Sequence, residues 1–108
     1  MNEDNDFNKW YLHDAELKYI NYDYQKNELI VETSALEKPN TQRKPFTFKF
    51  VDVKRIAVDA TKPWGEGIYI FEQYTITDKD LNKELNHYCF RTNAGDTFDV
   101  FAKNVLKI

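Results

Sequence analysis

A histidine and the chain's single cysteine lie two positions apart, as His87 and Cys89. On a strand such residues share a face, so this is the Cys/His geometry that could activate a thiol. A cationic neighbour such as Arg91 would lower the pKa of that thiol. No signature of a cysteine protease accompanies the pair, whose base usually comes from a separate element. The pattern therefore favours an unreactive thiol on a strand face, and no catalytic residue is predicted.

A second histidine stands next to an acid, at His13 and Asp14. Adjacent residues on a strand point to opposite faces, which makes a hydrogen-bonded catalytic dyad difficult. We expect Asp14 to cap the turn into the first strand and His13 to pack or bond locally, since aspartate favours turns through bonds to nearby backbone.

The sequence contains no ligand spacing typical of a metal-binding motif, since the two histidines are far apart in the sequence. No metal site and no cofactor is therefore predicted, and "WGEG" lacks the pattern of a phosphate-binding loop. An alternative stays open: a small hydrolase or metal-dependent enzyme that uses His13 and His87 with nearby carboxylates, if the fold brings them together.

Aromatic residues in predicted loops are the candidates for contact with a partner. Trp64 stands between a proline and a glycine in "KPWGEG", and Trp10 and Tyr11 lie near the start of the chain. Each ring either folds back over the core or anchors an interface. We predict Trp10, Tyr11, Trp64 and Glu66 as partner-binding residues, with Glu66 on an acidic rim.

Charge and composition narrow the function classes. The net charge is −3 and the pI about 5.3, so the chain lacks the basic surface that nucleic acids or anionic membranes require. A single cysteine excludes an internal disulfide and favours a reducing compartment. The acidic, polar start does not resemble a signal peptide, and no apolar run is long enough to span a membrane. We expect a cytoplasmic, soluble protein.

The elements that carry these residues are predicted to be strands. "ELKYINYD" and "ELIVETSA" form a hairpin if Asp23 pairs with Glu28, with Asn27 in a left-handed conformation. "FTFKFVDV" continues through a bend at Asp52, and "IYIFEQYTIT" is the longest uninterrupted strand signal. The "NAG" loop joins a last pair, in which Phe90 faces Phe98.

These strands predict an all-β fold. We expect a frayed tail over 1–6 and a single domain over 7–108, with about six antiparallel strands connected mainly as a meander. They would curl into a sandwich or a half-open barrel, with at most one short helix near 6–13 or 79–85.

The runs "LHDAELKYI", "NELIVET", "FKFVDVKRI" and "GDTFDVFAKNVLKI" together resemble small β-rich bacterial proteins of uncharacterised function, some of which are found as immunity proteins of polymorphic-toxin systems. The resemblance implies a non-catalytic protein-binding module, an inhibitor of a partner protein, with no catalytic residue to carry over. A structural homo-oligomer joined along a sheet edge is the other alternative.

Overall fold

The computed structural model describes residues 7–36, 41–59, 68–76, 85–93 and 95–108. Six antiparallel strands form one sheet, which confirms the predicted all-β fold. The strands are β1 (Glu16–Asp23), β2 (Glu28–Ala35), β3 (Lys44–Val58), β4 (Ile68–Ile76), β5 (Asn86–Thr92) and β6 (Thr97–Lys107). No helix in the described part of the chain is long and apolar enough to cross a membrane.

The sheet closes into a barrel with the order β1-β2-β3-β6-β5-β4. Two three-stranded meanders, β1-β2-β3 and β4-β5-β6, are joined by pairing of β3 with β6. An uninterrupted meander would instead have placed β3 beside β4. The barrel is closed rather than half-open, but the closing contact is short: among the described residues, β1 pairs with β4 only at Glu16↔Tyr69 and Leu17↔Ile68. The apolar alternation of β1 and β4 does not predict that the two strands pair, because the paired residues are distant in the chain.

Both predicted hairpin registers are confirmed. Asp23 lies opposite Glu28, and Asn27 has a φ of 55°, in the left-handed region. Phe90 lies opposite Phe98, and Gly95 has a φ of 89°. The loop residues thus take the conformations that their types favour.

β3 is the longest strand, at 15 residues, and it bends at Asp52, where φ is 54°. The expected continuation of this strand through a bend at Asp52 is confirmed, and it makes β3 longer than β4, which has 9 residues. A register shift between Val53 and Arg55 follows the bend. The first half of β3 pairs with β2, and the second half turns away to pair with β6 alone.

Aromatic rings fill the barrel. Phe48 and Phe50 are fully buried on the inner face of β3, and Phe7 joins them from the N-terminal segment. Phe7 packs edge-on against Tyr88 and Phe90, with ring centroids 5.0 and 5.3 Å away. The N-terminal segment therefore acts as part of the core.

Candidate functional site

The structure describes two of the four predicted partner-binding residues, Trp10 and Tyr11. Trp10 is half-buried and packs against the core rings of Phe46 and Phe48, at centroid distances of 5.3 and 5.2 Å. Its large apolar ring thus folds back over the core, and a contact of its exposed part with a partner stays a prediction. Tyr11 is half-buried beside the His13 ring and stays a predicted contact residue. Trp64 and Glu66 lie outside the described residues.

Exposed apolar side chains gather along β1 instead. In the described part of the chain, seven large apolar or aromatic side chains are exposed. Four of them border one region: Tyr19, Ile20, Tyr24 and Val58, with exposed fractions of 55%, 39%, 87% and 50%. An apolar surface concentrated in one place is typical of an interaction site.

Two hollows separate β1 from the second half of β3, and we call them together the β1 cleft. The first has a volume of about 250 Å³, and the second of about 170 Å³. The first is lined by Tyr22, Tyr24 and residues 53–56. The second is lined by residues 17–20, Val58, Asp59, Thr92, Thr97 and Phe98. The hollows follow one another along both strands, so the cleft is elongated.

The edge of β1 that faces away from β2 is mostly unpaired. Within the described ranges, only Glu16 and Leu17 pair with β4, and residues 19–23 pair with β2 alone. Residues 18–21 are correspondingly exposed. Ile20 lies opposite Val31 as predicted, yet its side chain is exposed because no strand covers it from the other side.

Cations and phenols meet at one end of the β1 cleft. Lys54 and Arg55 line the first hollow together with Tyr22 and Tyr24, whose rings contact each other edge-on at 4.5 Å. The Tyr22 hydroxyl donates a hydrogen bond to the Asn27 amide oxygen, which fixes the ring at the hairpin end. This end is suited to an anionic group, because two cationic side chains border it.

His13 and Asp14 lie in a turn and not on a strand, so the expectation that their side chains point to opposite faces is wrong. Asp14 has a φ of 65°, and its carboxylate lies 3.6 Å from the His13 ring nitrogen Nε2. The other nitrogen, Nδ1, lies 2.8 Å from the carbonyl oxygen of Phe71, a contact far along the chain. The pair thus joins the N-terminal segment to β4, and His13 bonds at long range rather than only locally.

A second cluster forms on the outer face of the sheet from His87, Cys89 and Asp99. Cys89 lies opposite Asp99 in the β5–β6 register. The thiol donates to the Asp99 oxygen Oδ1 at 2.8 Å, and Nε2 of His87 lies 3.0 Å from the same oxygen. The sulfur and Nε2 are 3.2 Å apart. Among the described residues this is the one group of three or more potential metal ligands, and His13 is not a member.

The environment of Cys89 disfavours a thiolate. Burial raises the pKa of Cys89 to about 12, with the Asp99 hydrogen bond and negative charge as further causes. Arg91 does not offset this effect, because its guanidinium lies 3.4 Å from the Glu72 carboxylate on β4. The expectation that Arg91 would lower the pKa is therefore wrong, while an unreactive thiol agrees with the raised pKa.

Asp99 was not identified from the sequence, although a signal for it was present. The register that sets Phe90 opposite Phe98 on the inner face also sets Cys89 opposite Asp99 on the outer face. Extending the predicted hairpin by one residue pair would have added the third member of the cluster.

Comparison of the chain with protein-family models, with curated proteins and with solved structures finds no match in any of the three.

Proposed function

We propose that this protein is a non-catalytic protein-binding module that takes an extended segment of its partner along the β1 cleft. The observation that carries the proposal is the position of the exposed apolar side chains. Tyr19, Ile20 and Val58 border a cleft that follows an unpaired strand edge. Apolar anchors beside free main-chain groups are the two parts of recognition by strand addition.

The unpaired edge supplies main-chain hydrogen bonds to the partner. Residues 19–23 alternate their amide and carbonyl groups between β2 and the open side, as any antiparallel strand does. An extended segment placed against the open side would satisfy these groups. The same surface would otherwise be a hazard for unspecific edge pairing.

The lining of the cleft selects the chemistry of the segment. Leu17 and Phe98 form an apolar floor in the second hollow, so an aliphatic or aromatic side chain fits there. Lys54 and Arg55 border the first hollow, where an aspartate or glutamate would be favoured. The proposed occupant is therefore an extended peptide segment that alternates apolar and acidic side chains.

An immunity-type inhibitor is the specific form of this proposal that the sequence resemblance implies. Such a protein acts by covering its partner, and the rigid barrel and cleft support that steric mechanism. The cleft cations would steer a toxin that presents an acidic, apolar segment. The enzyme alternative gains less support, because the described ligand group includes His87 but not His13.

Selection from a library of displayed linear peptides tests the proposal. Immobilised wild-type protein should enrich sequences that combine apolar and acidic residues. The affinity of one synthesised selected peptide should fall at least tenfold in Ile20→Asp and in Val58→Asp, because a carboxylate in the cleft repels the ligand and removes an apolar contact.

Ile76→Asp is the matched control, since Ile76 on β4 is as exposed as Ile20, at 40% against 39%. Its peptide affinity should equal that of the wild type. Equal loss in Ile20→Asp and Ile76→Asp, with both variants folded by circular dichroism, would refute the cleft as the binding site. A dimer in light scattering that Ile20→Asp dissociates would instead assign the β1 edge to a second copy of the chain.

A further inference from the structure

We propose that His87, Cys89 and Asp99 supply three ligands of a binding site for a zinc ion. The site lies on the outer face of β5 and β6 and does not depend on the proposed peptide cleft. Its donors are a thiolate sulfur, an imidazole nitrogen and a carboxylate oxygen. This mixed set is one that Zn²⁺ binds in preference to the hard cations Mg²⁺ and Ca²⁺.

The three donor atoms converge on one point. The distances between Sγ, Nε2 and Oδ1 are 2.8, 3.0 and 3.2 Å. Tetrahedral zinc with ordinary bond lengths would separate such donors by roughly 3.3–3.6 Å. Insertion of the ion therefore requires the atoms to move apart by only about 0.3–0.7 Å from their positions here, which small side-chain rotations supply.

The same geometry argues against a nucleophilic triad. In a thiol–imidazole–carboxylate triad the acid and the nucleophile bind different nitrogens of the histidine ring. Here the Asp99 oxygen and the Cys89 sulfur both meet Nε2. Asp99 also contacts the sulfur itself, where its negative charge opposes formation of a thiolate. A cation at the common point makes all three contacts favourable.

The burial of Cys89 is a separate observation that agrees with a metal site. Cys89 lies between Tyr88 and Phe90, which are part of the core cluster, and is not itself a member of that cluster, yet it is only 3% exposed. The His87 and Asp99 side chains that flank it retain 15% and 25% exposure. The sulfur therefore lies beneath the other two donors, and an ion can enter from solvent.

The scaffold holds the histidine in place. The His87 ring stacks on the Phe101 ring, with centroids 4.1 Å apart and an angle of 21° between the planes. His87 lies opposite Phe101, and Cys89 opposite Asp99, in the same ladder of hydrogen-bonded strands. Ligands on paired strands lose little freedom when an ion binds, because the sheet has already ordered them.

Titration of chelator-treated, reduced protein with Co²⁺ tests the site. The wild type should bind one equivalent and show the d–d bands of a tetrahedral site together with a sulfur-to-cobalt charge-transfer band. Zn²⁺ should displace Co²⁺ and abolish the bands. Cys89→Ser should lose the charge-transfer band, and His87→Ala or Asp99→Ala should weaken Zn²⁺ binding at least tenfold in competition with a chromophoric chelator.

His13→Ala is the matched control and should bind Zn²⁺ as the wild type does, because His13 lies outside the cluster. Circular dichroism establishes that each variant is folded, and Zn²⁺ should raise the melting temperature of the wild type but not of Cys89→Ser. Absence of the charge-transfer band in folded wild-type protein would overturn the proposal. So would equal Zn²⁺ affinity in the wild type and in Asp99→Ala and His87→Ala.

Discussion

At the scale of single residues, the Cys89 thiol shows how a neighbour decides chemistry. The spacing of His87 and Cys89 would allow the imidazole to activate the thiol. Instead, the thiol donates a hydrogen bond to the Asp99 carboxylate on the next strand. The sequence patterns predicted the shared face of His87 and Cys89 and an unreactive thiol. They did not identify Asp99, although the predicted β5–β6 register sets it opposite Cys89, because ligand motifs are recognised by spacing along the chain and not across the strands.

In metal-free protein the Cys89 thiol should react slowly with iodoacetamide near neutral pH. Its pKa of about 12 leaves almost no thiolate there. Asp99→Asn should raise the alkylation rate severalfold, since the amide removes the negative charge while keeping the shape. Alkylation rates followed by mass spectrometry measure this. Rates that do not differ between the two proteins would contradict the assigned cause.

Cys89 should also make the protein less stable in strong alkali. Its pKa rises from 9.0 to about 12 on folding, so between these values the unfolded chain has lost a proton that the folded chain keeps. The stabilising contribution is present below about pH 9 and is lost as the pH rises through the window to 12. Urea unfolding at pH 8 and 10 should show a smaller decline for Cys89→Ala than for the wild type. An equal decline in the free energy of unfolding of both proteins would contradict the assigned contribution of Cys89.

At the scale of elements, the hairpins were predictable and the barrel closure was not. In the β1–β2 and β5–β6 hairpins, the loop residues and the apolar alternation specify the same register. The sequence near each turn is therefore enough to predict how the two strands pair. The barrel closes where β1 pairs with β4, and this contact consists of two pairs of residues that are distant in the chain. The unpaired edge of β1, and therefore the candidate cleft, follows from that brief closure.

Gly95 should be difficult to replace because of the turn that it makes. Its φ of 89° lies in a region that side chains rarely adopt, although no atom would clash with an added Cβ. Gly95→Ala should therefore lower the free energy of unfolding by about 1 kcal/mol through backbone strain alone. Urea denaturation measures the change, and an unaltered stability would show that the loop can relax.

At the scale of the whole molecule, the N-terminal segment completes the barrel. The side-chain amide of Gln73 on β4 donates to the carbonyl oxygens of Phe7 and Trp10, at 3.3 and 2.6 Å. These bonds hold the segment against β4 while Phe7 enters the core. Sequence periodicity could not reveal this packing, because the segment has no regular pattern of its own.

Phe7→Ala should destabilise the fold by about 3–5 kcal/mol, the usual cost of removing a buried phenylalanine ring. Phe71→Ala is the control, since Phe71 is 53% exposed, and it should change stability by no more than about 0.5 kcal/mol. Equilibrium unfolding of the two variants compares them directly. Similar losses would mean that Phe7 does not belong to the core.

Amide hydrogen exchange with and without a selected peptide tests the proposed function most directly. In the free protein the amides on the unpaired edge of residues 18–23 should exchange quickly, because no described strand covers them. Peptide binding should slow exchange in β1 and around Val58, and leave residues 86–90 of β5 unchanged, because Thr92 at the end of β5 lines the cleft. Protection that appears on β5 or β4 while β1 continues to exchange at its free rate would contradict binding along the β1 cleft.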